Sequence, residues 1–143
     1  MSHDNLRERV FRRMLAREAG ATADASAIAA AARRLYEQLA QQLTPLIGGS
    51  GAAAIFARSL HLTHRQRPGL APVRAPDDQE PIARAQRFLE SQESAAATEE
   101  AIAVLMTVCE LLESFIGSKL TTDHLRQAWP DDFGGDTTEE TPT

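Results

Sequence analysis

Two histidines, His61 and His64, stand three residues apart in a stretch that reads as helix. That spacing puts both imidazoles on neighbouring turns of one face, within reach of a shared ligand. Such a pair could hold a metal ion, move a proton or accept a phosphoryl group. Two ring nitrogens are not a metal site, however, and no Asp or Glu lies nearby in sequence to complete one, so neither metal nor cofactor is expected. Arg58 and Arg65 share the histidine face, and Trp129 stands near the C-terminal edge. Arg58, His61, His64, Arg65 and Trp129 are therefore the expected surface patch for a partner.

Other reactive types are less promising. Cys109 sits in the most apolar stretch of the chain, where a thiol behaves as a small hydrophobe and is a poor nucleophile. His124 follows Asp123 at the start of a short helix, a place for capping or packing. Gly48-Gly49-Ser50-Gly51 lacks the lysine and the preceding strand of a phosphate loop and reads as a helix connection. With no Ser–His–acid grouping and no carboxylate pair, no catalytic residue is assigned.

The elements that position these residues read as helices throughout. In residues 5–17, Leu6, Val10 and Met14 make one stripe with Phe11 and Leu15 beside it, and five arginines fill the rest. Asp24 or Ser26 can cap a second helix striped by Ile28, Leu35, Leu39 and Leu43 and ended by Gly48-Gly49. Ser50 can cap a third helix to about residue 67, which carries the two histidines. Residues 68–80 hold three prolines, a glycine and adjacent aspartates and read as a flexible loop. Pro81 suits the first position of a fourth helix. The fifth, residues 95–116, has two adjoining apolar stripes, one ending on Phe115 and the other on Ile116, and should be the central helix of the fold. Thr121 or Thr122 would cap a sixth helix, which Pro130 stops. The expectation is an all-α bundle of five or six helices over residues 1–130. Residues 131–143 should form a disordered acidic tail.

The chain also compares with itself at an offset of 69 residues, where Leu43-Thr44-Pro45-Leu46-Ile47-Gly48 lies on Leu112-Glu113-Ser114-Phe115-Ile116-Gly117. Apolar positions coincide on both sides of the glycine, as two helical hairpins joined at left-handed glycines would require, although few residues are identical. On this pattern the bundle would be two pseudo-repeated hairpins.

Length and composition bound the function. At 143 residues, 43% hydrophobic and 24% charged, with net charge −5 and one cysteine, the chain has one domain's length and no internal disulfide. With no signal-peptide stretch and no uninterrupted apolar span, a cytoplasmic protein without a membrane partner is expected. Residues 1–74 carry eleven arginines against five acids, net +6, whereas residues 75–143 are net −11. The two halves are expected to neutralise each other within the fold or to be simply solvated faces. Nucleic acid is an unlikely partner, because the basic segments lack interleaved aromatics and lysine clusters. The reading is a non-enzymatic regulatory or adaptor module of bacterial type working through protein contacts, with a homodimer as one form of contact.

In size and helical content the chain resembles histidine phosphotransfer domains. The resemblance implies a signalling role in which His61 or His64 accepts a phosphoryl group from a response regulator. Ser59-Leu60-His61-Leu62-Thr63-His64 lacks the lysine-glycine and small residues that follow that family's histidine. A sensor holding a small apolar ligand between the hairpins is a further alternative.

Overall fold

A computed structural model describes residues 3–21, 23–66 and 80–134. Its elements are α1 (His3–Ala19), α2 (Ala25–Gln66), α3 (Pro81–Glu90), α4 (Ser94–Ala128) and a single π turn (Pro130–Gly134), with no strand among the described residues. The fold is all-α. The proline-rich segment 68–79 and the end of the tail lie outside the described residues, and Glu80 is the exposed, extended residue before α3.

α2 and α4 each consist of two arms meeting at one glycine in a non-helical conformation, Gly48 in α2 and Gly117 in α4. These residues have positive φ, 82° and 88°, but extended ψ, 163° and 165°. They are therefore not the left-handed helical C′ residues that the sequence pattern suggested, since that conformation has ψ near +47°. One residue suffices to turn the chain, and the next helix starts without a cap. Thr121 is consequently no cap: its hydroxyl donates to the Gly117 carbonyl at 2.8 Å, inside the second arm of α4. At the start of α2 the cap falls as expected, with Ala27 N donating to Asp24 Oδ1 at 2.9 Å.

α4 is central, in contact with every other element. By length and composition it is apolar enough to cross a bilayer. In this fold its apolar side chains make the core: Ala97, Ala101, Val104, Leu105, Val108, Cys109 and Leu112 are all buried, packed with Leu35, Leu39, Leu43, Phe56 and Leu60 of α2. Ile28 of α2 and Ala95 of α4 line one shallow depression, and further along Tyr36 donates its hydroxyl to the Ala101 carbonyl at 3.1 Å. The first arms thus run side by side in the same direction. From that depression Gly48 is twenty residues on and Gly117 twenty-two, about 30 and about 33 Å of helix. Both glycine corners therefore come out at the same end of the bundle.

α1 closes the fold with its apolar face entirely used: Val10, Phe11, Met14 and Leu15 are at most 1% exposed. Its arginines reach the acidic half of the chain, as neutralisation within the fold requires. Arg7, itself buried, donates to Glu113 at 2.7 Å and to Thr122 at 3.1 Å, clasping both arms of α4 across Gly117. Arg12 pairs with Glu99 and Glu8. Arg17 makes a two-pronged contact with Asp132 at 3.0 and 2.9 Å.

That last contact reaches beyond residue 130. Asp132 and Phe133 are buried rather than part of a solvated tail. The Phe133 ring meets Phe11 edge-on, with centroids 5.4 Å apart, and the turn closes through Phe133 N donating to Trp129 O at 2.9 Å. The folded unit extends at least to Gly134.

Candidate functional site

The two histidines are separated by the fold. On the second arm of α2, Arg58, His61 and Arg65 fall at i, i+3 and i+7 on one exposed face. His64 turns inward and is half-buried, its ring against Phe88 of α3 at a centroid distance of 4.4 Å. Its Nε2 is buried and lies 3.3 Å from Oε2 of Glu100. Trp129 leaves the expected patch altogether. It is 6% exposed, packs edge-on against Phe11 at 5.9 Å, and donates its indole N–H to Gln38 Oε1 at 2.6 Å. Trp129 is a core residue because it caps α4 exactly where α1 and the π turn converge, which encloses the ring and leaves only Gln38 for its polar edge.

Glu100 is the residue that sequence spacing alone passes over. At 1% exposure it is a carboxylate in the core between α2 and α4, where acids are rarely found without a partner. A signal exists in the sequence, since Glu100 continues the stripe of Ala97 and Val104 at helical spacing. Near it lie Thr63, Thr107 and Ser59, all buried. The Thr63 hydroxyl donates to Ser59 O at 2.7 Å and lies 3.3 Å from the Thr107 hydroxyl. The His64–Glu100 pair can fix an imidazole's orientation, but the surface depressions are lined elsewhere. One of about 270 Å³ lies between α1 and the starts of α2 and α4, and grooves of about 680 and about 220 Å³ follow α2 beside the start of α3. Among the described residues no three metal-ligating side chains converge.

Tyr36, the chain's single tyrosine, is fully buried in the same region. Burial, and secondarily the Glu100 charge, pushes its phenol well above the ordinary value of 10. A raised value favours the neutral form in the fold, so its contribution to stability is complete below about pH 10 and is lost as pH rises beyond that. Tyrosinate absorbance should therefore appear together with loss of helical circular dichroism in an alkaline titration. Ionisation near pH 10 in a still-helical protein would contradict this burial. Tyr36→Phe should remove that tyrosinate signal and flatten the alkaline loss, at a cost of about 1 kcal/mol at neutral pH for the lost hydrogen bond.

The large apolar side chains that reach solvent are concentrated at one place. Leu46 is 44% exposed, Phe115 71% and Leu120 48%. Each is within three residues of a corner glycine. The apolar stripe that placed Phe115 in the core is buried only to Leu112; Phe115 is exposed and Ile116 half-buried. The two corners differ in charge. No Asp, Glu, Lys or Arg occurs from residue 38 to 57, a stretch that includes Gly48, while around Gly117 Glu113 is taken by Arg7, and Lys119 faces solvent beside Asp123 at 3.6 Å.

No protein-family model, curated protein or solved structure matches this chain.

Proposed function

We propose that the chain is a non-enzymatic helical regulatory or adaptor module, and that it acts through protein contacts made at the glycine-corner end. The observation that carries this reading is Phe115, an aromatic ring 71% exposed two residues before one corner glycine, with Leu46 and Leu120 also exposed within three residues of the corner glycines. Exposed apolar groups that cluster mark contact sites, and aromatic anchors dominate their energetics. Trp129, expected on the partner patch, and the apolar residues Val10, Phe11, Met14 and Leu15 of α1 are occupied inside the fold.

The same end supports the reading that the bundle is two duplicated hairpins, each contributing one corner. Gly48 and Gly117 are 69 residues apart and share one unusual backbone conformation. The second arm of each hairpin packs on the first arm of the other, through Thr63 with Thr107 and Trp129 with Gln38. Gln38 and Thr107 are themselves 69 apart.

A photo-crosslinking residue placed at position 115, or at 46, in the protein expressed in its native cells tests the contact surface. Discrete crosslinked species are expected from both positions and none from an exposed control such as Arg13. A crosslink to a second copy would make the homodimer the form of contact, and no crosslink from either corner position would sink the proposal.

A second reading, phosphoryl acceptance as in histidine phosphotransfer domains, is favoured by one observation. His61 is exposed between Arg58 and Arg65, whose charges would suit a phosphorylated imidazole. Phosphorylated response regulators should then transfer an acid-labile phosphate to wild type and not to His61→Gln. Transfer to neither would reject it.

A further inference from the structure

The net charge of −5 conceals where the cations go. Arg7, Arg12, Arg17, Arg33, Arg34 and Arg126 each meet a carboxylate inside the fold. Arg9 and Arg13 of α1 meet none among the described residues, and the same holds on the second arm of α2 and on α3. Arg58, Arg65, Arg84 and Arg87 have no ion-pair partner among the described residues. Residues 49–66 contain no acid at all, so the exposed stripe Arg58, His61, Arg65 is unopposed along its own helix. α3 packs beside this arm through Phe88 on His64 and carries Arg84 and Arg87 four and one residues before Phe88. Arg84 Nε is buried without a hydrogen-bond partner. In a chain with twenty acids and fifteen bases, leaving Arg58 and Arg65 without carboxylates on an arm that holds no acid concentrates positive potential along that stripe.

We propose that this face, Arg58, His61 and Arg65, docks a short acidic segment of a partner protein. Guanidinium groups bind carboxylates in two-pronged geometry and lose little on partial desolvation, which suits them to such a contact. Arg58 and Arg65 are seven residues apart, about 10 Å along the axis, room for two or three carboxylates. A nucleic-acid strand fits less well. Its continuous phosphate charge would run from this short patch onto the exposed Glu80, Glu90 and Glu93, and the face exposes no aromatic ring for a base to stack on. The surface is distinct from the corner end, since Arg58 and Arg65 lie ten and seventeen residues beyond Gly48, about 15 and about 26 Å along the arm. The two contacts can therefore fail independently.

The test uses the full chain with three fluorescent probes at low ionic strength: a glutamate-rich dodecapeptide, a neutral dodecapeptide and a single-stranded DNA dodecamer. Two charge-reversal variants are compared, Arg58→Glu/Arg65→Glu and, as a matched control on α1, Arg9→Glu/Arg13→Glu, whose residues are also exposed. All four positions are on the surface, and circular dichroism confirms that both variants fold. The acidic peptide should bind, the neutral one should not, and the first variant should weaken binding by about tenfold or more while the control leaves it unchanged. Equal losses in both variants, tighter binding of the DNA than of the acidic peptide, or no binding of the acidic peptide would each overturn the proposal.

Discussion

Phe11→Ala should cost about 3–5 kcal/mol, the usual loss for emptying a fully buried aromatic site. Phe11 is 0% exposed and forms the hub of a ring cluster, edge-on to Trp129 at 5.9 Å and to Phe133 at 5.4 Å. Its ring neighbours are held in place: the indole by Gln38, and Phe133 by the backbone turn from Trp129. For a domain of this size the loss is a large part of total stability and should lower the melting temperature by roughly 10–20 °C. Phe133→Ala should lose somewhat less, because Phe133 retains 7% exposure and sits near the end of the described chain. The two substitutions should couple by about 0.5–1.5 kcal/mol in a double-mutant cycle, the worth of an edge-on ring pair. Chemical denaturation of the four proteins measures this. A loss below about 1 kcal/mol for Phe11→Ala would mean that the C-terminal turn does not pack where it is placed.

Of this hub only Phe11 is legible in the sequence, which puts Trp129 on a surface patch and Phe133 in the tail. Phe11 stands in a 3.6-residue stripe, so period alone buries it. Phe133 follows a proline and two acids in a segment without any period, and its burial depends on a turn whose closure is a tertiary event. The same division runs through the candidate site. Helical spacing correctly set Arg58, His61 and Arg65 on one face, but the inward turn of His64 depends on Phe88 and Glu100 of other elements, which no local pattern announces. Phe115 fails in the opposite sense. Its stripe is continuous with the buried residues before it, and whether another element covers the final turn is a tertiary matter that periodicity does not carry. Pairing between the basic and acidic halves was foreseeable from charge totals. Which arginines would be left out was not, because pairing depends on which helices become neighbours.

Gly48→Ala and Gly117→Ala should each cost about 1–3 kcal/mol, for a reason that involves no lost contact. Both glycines have φ above +80° with ψ near 165°, a region essentially closed to residues with a Cβ. A Cβ built at either position meets nothing within 4 Å, so the whole penalty is backbone strain. Gly49→Ala is the internal control. It too would meet nothing within 4 Å, but its φ is not positive, and removing a glycine from a helical position should stabilise by about 0.5–1 kcal/mol. Asparagine separates the observed conformation from an ordinary helix C-cap. It tolerates left-handed helical dihedrals, but ψ near 165° is a different well, so Gly117→Asn should be no better than Gly117→Ala. A rescue by asparagine, or a Gly48→Ala variant as stable as Gly49→Ala, would show that the corners are not built this way. The strain also reaches the proposed contact surface. Each corner glycine turns its helix back and leaves Leu46, or Phe115 and Leu120, projecting from the end of the bundle. A variant that relieves the strain by opening a corner should lose crosslinking at positions 46 and 115 even where its helical content is retained. The Gly117 corner, clasped by Arg7 on Glu113 and Thr122, should resist opening longer than the Gly48 corner.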